Sequence, residues 1–380
     1  MHPPSRRAFL VVALITTVAM LIGKSNDFLV YHQAVRALFT SGWDGVYRAD
    51  WVTPFKYQPP TLFLFAPFAL LPWLPAKILW AVGNGLAVWD LQRRLWRFGI
   101  PVTAIIAGFV LVIHGMTWHL KFANVTLVMT WLLVVVATTR HQWTRAGAVA
   151  VLILLKPFWL ALLPVFVLAR DAKGLARIVA LLAVVSLLPF LGGLDWGTEA
   201  YQAWIPTLTG EAQAHNYPKN DNQSVFALLY TQRTMLGAWL VPAWAVLAAA
   251  ALAAWAIGVR WITGYIAFAL GTVSVAAVIL WTGPLSWIHH QVLLWPLFAW
   301  LWLVRRERGM IVVLLVSWLL LNGTGGFILG RGGFVWTAQA RIPILAFPLL
   351  LGAVAWYRTA LLAAITDGHS AGSRTPSTES

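Results

Sequence analysis

The chain has 380 residues, 60% of them hydrophobic and 10% charged, against about 45–50% and 25% in soluble globular proteins. A mean hydropathy of +0.75 excludes a water-soluble globule, and apolar runs that recur at about 20 residues, without ten-residue alternation, predict spanning helices rather than a barrel. The 27 Lys+Arg against 12 Asp+Glu fit basic loops on a cytoplasmic face better than a nucleic-acid partner, and the lack of cysteine removes disulfide and thiolate chemistry.

At the N-terminus, Arg6 and Arg7 precede an apolar run with no clear small-x-small cleavage site. This reads as an uncleaved helix over 8–23 rather than a signal peptide. With Arg6 and Arg7 inside, an outer segment follows from Lys24 to Pro75. Within it, DFLVYHQAVRALF sets Phe28, Tyr31, Val35 and Leu38 at helical spacing, an amphipathic helix suited to the membrane surface. SGWDGVY is a turn, and the Pro-punctuated KYQPPTLFLFAPFALLPWLP is expected to dip into the outer leaflet. Asp27 opens the surface helix, where it or Asn26 could act as N-cap. Tyr31 lies on the apolar stripe, and His32 could face a site or water.

Next come helices over 76–92, ending at RRLWR, and 101–117, with HLK at 119–121 as a short outer turn. A helix over 122–139 returns to RHQWTR. Residues 146–169 could span once, but that would put RDAKGLAR outside and Lys156–Pro157 in mid-membrane. A proline breaks the helical ladder, so two half-helices meeting at Lys156–Pro157 and lining a cavity fit better. Helices over 175–192, 236–257, 264–282, 288–303, 311–328 and 342–357 follow, with a polar outer loop at 193–233. The Ser/Thr-rich tail, 361–380, is expected to be disordered and cytoplasmic. In this topology Asp27, Asp44, Asp50, Asp195, Glu199, Glu211 and Asp221 all fall outside, so an active face would be extracytoplasmic.

Three outer motifs carry candidate chemistry. In NDNQS, Asn222 and Ser224 offer an amide and a hydroxyl to a sugar, or simply a turn before a short helix. In GPLSWIHHQ, adjacent His289 and His290 diverge on a helix and lack a third ligand at metal spacing, a weak zinc signal. They suit a phosphate or sugar oxygen, with Trp287 beside them, or a structural role. Arg331 in GRGGF stands among glycines that let backbone N–H groups approach a phosphate. A broken helix with a central lysine also fits a secondary transporter or lipid flippase. The chain shows no convincing internal repeat, and its two long outer segments favour an enzyme working on one face.

Taken in order, NDFLVYHQAVRALFTSGWDGVY, FKYQPPTLFLFAPFALLP, LKFANVTLVMTWLL, AGAVAVLILLKPFWLALLPV, NQSVFALLY and GPLSWIHH resemble glycosyltransferase family 87. These are bacterial polyprenyl-phosphate-mannose-dependent mannosyltransferases of the GT-C superfamily. The chain departs from the family at LKFANVT, which keeps only Asn124 of a Gly-Gln-x-Asn element, and at Pro157, placed directly after Lys156. The resemblance implies an all-α polytopic membrane bundle of GT-C type. About ten spanning helices, a re-entrant pair and extracytoplasmic amphipathic helices would form one domain over 1–360. It implies a plasma-membrane protein, a polyprenyl-phosphate sugar donor and inversion at the sugar carbon; the placing of basic residues puts both termini in the cytoplasm. The expected reaction moves a hexose, mannose first, to a hydroxyl of a glycolipid or glycan; arabinose or glucose are the alternative sugars. Asp27 matches the family's acid after helix 1, the general base. Lys56, Lys156, His289, His290 and Arg331 are candidates for the donor phosphate. Tyr31, Tyr57, Asn124, Asn222, Ser224 and Trp287 are candidates for sugar or acceptor. Nothing in the sequence calls for a metal or another cofactor.

Overall fold

The computed structural model describes residues 3–47, 55–208, 219, 222–260, 264–322 and 341–372. Among these the chain is helical, with one isolated bridge between Asn222 and Trp287 and no strand. This is the expected outcome for apolar runs whose backbone groups must be satisfied within each segment in a bilayer. The first elements are α1 (Pro3–Ile22), α2 (Asn26–Val46), α3 (Thr61–Ala69) and α4 (Trp73–Arg97). They are followed by α5 (Val102–Leu111), α6 (Ile113–Phe122), α7 (Thr126–Thr138) and α8 (Gln142–Leu155). After a 3-10 turn at Pro157–Leu162 come α9 (Leu163–Leu168), α10 (Ala172–Ser186) and α11 (Leu194–Leu208).

By length and composition, three stretches among the described residues could cross a membrane: Ala172–Gly192, Arg233–Val259 and Gly264–Thr282. Counting each of three bent helix pairs as one span raises the number to six. Gly264–Thr282 is 78% buried, whereas the other two are 17% buried and point residues such as Val179, Val184 and Val246 outward. The first is therefore central, and the other two present apolar flanks to their surroundings, as membrane-embedded helices do.

Three breaks shape the site, and each has a physical cause. In α2, Gly42 takes φ 66°, ψ −162°, so the helix interrupts where SGWDGVY predicted a turn. Between α5 and α6 the expected 101–117 helix bends by 71° at Val112. Asn322 makes the bend tolerable: its Oδ1 accepts the His114 N–H at 2.9 Å, and its Nδ2 donates to the Leu111 carbonyl at 2.9 Å. One distant amide thus satisfies both sides of the break.

The third break is the one at Lys156–Pro157. The helix ends at Leu155, and Lys156 is extended at φ −150°, ψ 113°. Pro157 has no N–H, so the Ile153 carbonyl loses its helical donor. Gln58 Nε2 supplies one at 3.0 Å, and Thr61 Oγ1 donates to the Leu154 carbonyl at 2.9 Å. The chain then folds back, bringing Asp171 Oδ2 to 3.8 Å from Arg145 Nη1 at the start of α8. Both flanks of the segment lie at one end and Lys156 at the other, as the hairpin reading required.

Four expectations need correction. RRLWR belongs to the last turns of α4, where Arg94 Nε pairs with Asp90 Oδ2 at 2.5 Å. HLK is not a turn but part of α6. The polar loop 193–233 contains α11, docked through Trp196 on Trp43, ring centroids 5.1 Å apart. The expected disordered tail begins inside a helix, Arg358–Gly372.

Candidate active site

The site is assembled where α1 gives way to α2. Gly23 N–H still bonds the Ala19 carbonyl at 3.0 Å, and Ser25 N–H bonds the Lys121 carbonyl at 3.0 Å. A Cβ on Gly23 would sit 2.6 Å from the Leu120 carbonyl oxygen, so only glycine allows this approach. Lys77 Nζ donates to the Gly23 carbonyl at 2.9 Å. Ser25 lies in the left-handed region at φ 54°, and the chain then turns by 68° into α2. The link is pinned from two sides, which fixes where the first turn of α2 begins.

Asp27 lies in that first turn, outside the α1 span, and its carboxylate does not cap the helix. The helix dipole favours its charge there. Asn124 Nδ2 donates to Asp27 Oδ2 at 2.6 Å. Asn124 is itself locked: its Oδ1 accepts the Thr126 N–H at 2.9 Å and the Thr126 hydroxyl at 2.7 Å. The amide therefore has one orientation, with its NH₂ toward Asp27. Asp27 is half-buried, and burial raises its carboxyl above the ordinary range; the Asn124 bond and the charges of Lys156 and Lys56 pull it back down.

The next turn of α2 carries Tyr31, buried, whose hydroxyl lies 2.9 Å from that of Tyr57. The Tyr57 ring lies under Lys156 Nζ, 5.0 Å from its centroid, a cation–π contact. Tyr47 holds the Tyr57 carbonyl at 2.9 Å, and Trp204 of α11 donates to the Lys56 carbonyl at 3.3 Å. Lys56 is lowered to about 8, by burial first and then by the charges of Lys156 and Lys219, with Asp27 opposing. Asp27, Tyr31, Lys56, Tyr57, Asn124 and Lys156 thus form one connected group: a half-buried carboxylate, two ammonium groups and aromatic walls. His32 is not part of it; its Nε2 lies 3.0 Å from the Leu71 carbonyl and its ring packs edge-on to Trp73.

His289 and His290 border this group. Their ring centroids are 4.5 Å apart, and His290 packs edge-on to Phe158, two residues from Lys156. His290 Nδ1 accepts the Trp287 N–H at 3.2 Å, while the buried Nε2 of each ring has no protein partner. A third histidine, His119 on α6, was hidden by the reading of HLK as a turn. It is fully buried, neither ring nitrogen has a partner, and it lies within electrostatic reach of both others.

The structure gives the NDNQS candidates local bonds. Asn222 Nδ2 donates to the Pro284 carbonyl at 3.0 Å, and its Oδ1 accepts the Ser286 N–H at 2.8 Å. Ser224 Oγ accepts the Ala227 N–H at 3.1 Å, capping the Val225–Tyr230 helix. Both fasten this loop to GPLSW. Trp287 stands partly open with Lys219 Nζ 5.8 Å from its ring centroid. Arg341, not singled out from sequence, is buried and donates to the Lys219 carbonyl at 3.2 Å and to the Asn222 carbonyl. Arg331 falls outside the described residues.

An apolar helical bundle that gathers a carboxylate and two ammonium groups among aromatic walls defines a polytopic membrane protein with a cluster of chemically active side chains. The model of glycosyltransferase family 87 matches residues 55–282, more than half of the sequence, and the chain belongs to that family. Asp27 precedes the matched segment.

Among curated relatives, the chain is 26% identical over 288 residues to a polyprenol-phosphate-mannose-dependent alpha-(1-2)-phosphatidylinositol mannoside mannosyltransferase of Mycobacterium tuberculosis. The match covers 70% of this chain and 65% of that protein. The enzyme of the same description from Mycolicibacterium smegmatis is 26% identical over 65% of this chain and 61% of its own length. An alpha-(1->3)-arabinofuranosyltransferase of Mycobacterium tuberculosis is 28% identical over 43% of this chain and 40% of its own length. The chain thus spans less than two thirds of each of these relatives.

Proposed function

We propose that the chain transfers a hexose, mannose, from a polyprenyl phosphate to a hydroxyl of a glycolipid or glycan acceptor. One observation carries this: a carboxylate aimed by a locked amide, with two ammonium groups close enough to act on it. The acceptor oxygen attacks the sugar's anomeric carbon while Asp27 takes its proton. The bond from that carbon to the phosphate oxygen breaks, and the polyprenyl phosphate leaves with the electron pair. Lys56 and Lys156, and the open Nε2 atoms of His289 and His290, are suited to the charge that develops on the phosphate. One base and no protein nucleophile are needed, so the sugar carbon inverts, and a β-linked donor gives an α-linked product. Asn124 acts as a positioning residue, and Tyr31, Tyr57 and Trp287 offer walls for sugar or acceptor.

In this reading the whole of 1–360 is one GT-C domain with about ten spans, and the Asp27 group works on the extracytoplasmic face. The arabinofuranosyltransferase relative supports a second donor, polyprenyl-phosphate arabinose. The test is purified protein offered radiolabelled polyprenyl-phosphate mannose or arabinose with lipid acceptors. Labelled product from the mannose donor is expected. Product from arabinose alone would change the sugar, and lipid movement across liposomes without product would replace the enzyme by a transporter.

A further inference from the structure

The ends of α4, α7 and α8 remote from Asp27 hold a second polar layer that the transfer reaction does not use. Both α7 and α8 have one end at the site, beside Asn124 and Lys156 respectively. At 1.5 Å per residue their other ends lie roughly 20 Å away. There a cavity of about 690 Å³ opens between α8, α9 and the helices Leu240–Val259 and Gly264–Thr282.

Its lining is two-sided. Arg145, Arg170 and Arg260 face it with Tyr265, against one acid, Asp171. The rest of the wall is apolar, including Val165, Leu168, Trp255 and Val259. Arg145 is held in place: Nη2 donates to the Thr139 carbonyl at 2.6 Å, and the guanidinium lies 4.3 Å from the Phe268 ring centroid. Its Nε is buried without a partner. Tyr265 also borders a second cavity of about 440 Å³, lined by Arg93, Arg94, Arg97 and Arg140. The acid there, Asp90, is already taken by Arg94 at 2.5 Å and Trp131 Nε1 at 2.9 Å. Among the described residues, seven arginines and two aspartates line the two cavities.

Basic residues that only orient a membrane protein need no cavity; they sit in loops and are solvated. Here three of them line concave space beside an apolar wall, with Arg145 partly buried and Arg170 and Arg260 exposed, so their summed field favours an anion there. Guanidinium forks match phosphate oxygens. A free phosphate would have no use for Val165, Leu168 and Trp255, whereas an acyl chain would. We propose that this layer binds an anionic phospholipid, its phosphate held by Arg145, Arg170 and Arg260 and its upper acyl chains against the apolar wall. Basic pockets between membrane helices are suited to such headgroups.

The test is native mass spectrometry of the full chain in neutral detergent. The probes are phosphatidylglycerol, cardiolipin, phosphatidylcholine and inorganic phosphate. The anionic lipids should stay bound, phosphatidylcholine should not, and millimolar phosphate should not displace them. Arg145 also braces Thr139, so the variants are Arg170→Gln and Arg260→Gln, both exposed, with unchanged melting as the folding check. Each should weaken anionic-lipid retention about fivefold, while Arg308→Gln, at an exposed residue outside the lining of both cavities, should not. Equal retention of phosphatidylcholine, or undiminished retention in the double variant, would overturn the proposal. Displacement by inorganic phosphate would make the ligand a soluble anion and overturn the lipid assignment.

Discussion

Asn124 Nδ2 lies 2.6 Å from Asp27 Oδ2, and the same amide's oxygen takes both donors of Thr126. The carboxylate is therefore oriented by a residue 97 positions further along the chain, itself anchored to the first residue of α7. Asn124→Ala should lower kcat by about 10- to 100-fold, the worth of a hydrogen bond to a charged group. Because this bond lowers the Asp27 pKa, its loss should move the acid limb of kcat/KM to higher pH. Asn124→Asp keeps an acceptor for Thr126 but sets a like charge beside Asp27, and should move the limb in the same direction. A pH–rate profile checks both; an unmoved limb would reduce Asn124 to a helix brace.

The wild-type profile should be bell-shaped. Asp27 must be ionised to accept a proton, and burial raises its pKa, so activity should rise with pH above the ordinary carboxylate range. Lys56 is lowered to about 8; below that pH it is charged, and above it the charge facing the leaving phosphate is lost. The alkaline limb should therefore fall near pH 8. Lys56→Arg stays charged throughout and should carry that limb upward. A coincident alkaline limb in the two proteins would take the limb from Lys56 and assign it to Lys156, which is given the same phosphate.

Gln58 and Thr61 supply the donors that the break at Lys156–Pro157 denies to the Ile153 and Leu154 carbonyls. Thr61→Val is nearly isosteric and leaves the Leu154 carbonyl unpaired, at a cost of about 1–3 kcal/mol. Thermal unfolding in detergent should show the loss. Transfer should slow as well, because the brace holds Lys156 at the apex of its hairpin. Unchanged melting and turnover would mean that water replaces the hydroxyl.

Asn322 does comparable work at the α5–α6 break. Asn322→Leu leaves the His114 N–H and the Leu111 carbonyl without their partner, and should destabilise by about 2–6 kcal/mol, one desolvation penalty for each group. Asn322→Asp retains the acceptor and should fall between the two in a melting series.

These two braces also mark the limit of what the sequence disclosed. The fold-back at Lys156–Pro157 was legible because proline and lysine each object to mid-membrane helix on local grounds. The amphipathic helix α2 was legible from the spacing of Phe28, Tyr31, Val35 and Leu38. The break at Val112 was not, since no proline or glycine marks it and its cause, Asn322, lies over 200 residues away. His119 was lost with it, because an unbroken 101–117 helix left HLK as a turn. The pairing of Gln58 and Thr61 with Ile153 and Leu154 likewise joins segments that only the folded chain brings together. Of the candidate residues, Asp27, Tyr31, Lys56, Tyr57, Asn124 and Lys156 converge, while Asn222 and Ser224 are engaged in loop bonds that look like ordinary polar chemistry in one dimension.

The most direct measurement is transfer from polyprenyl-phosphate mannose by Asp27→Asn. The substitution keeps the size and the polarity of the side chain and removes the base. Turnover should fall by about 10²–10⁴-fold, the contribution of general-base catalysis, with melting and donor binding preserved. Wild-type turnover in Asp27→Asn would contradict the assignment.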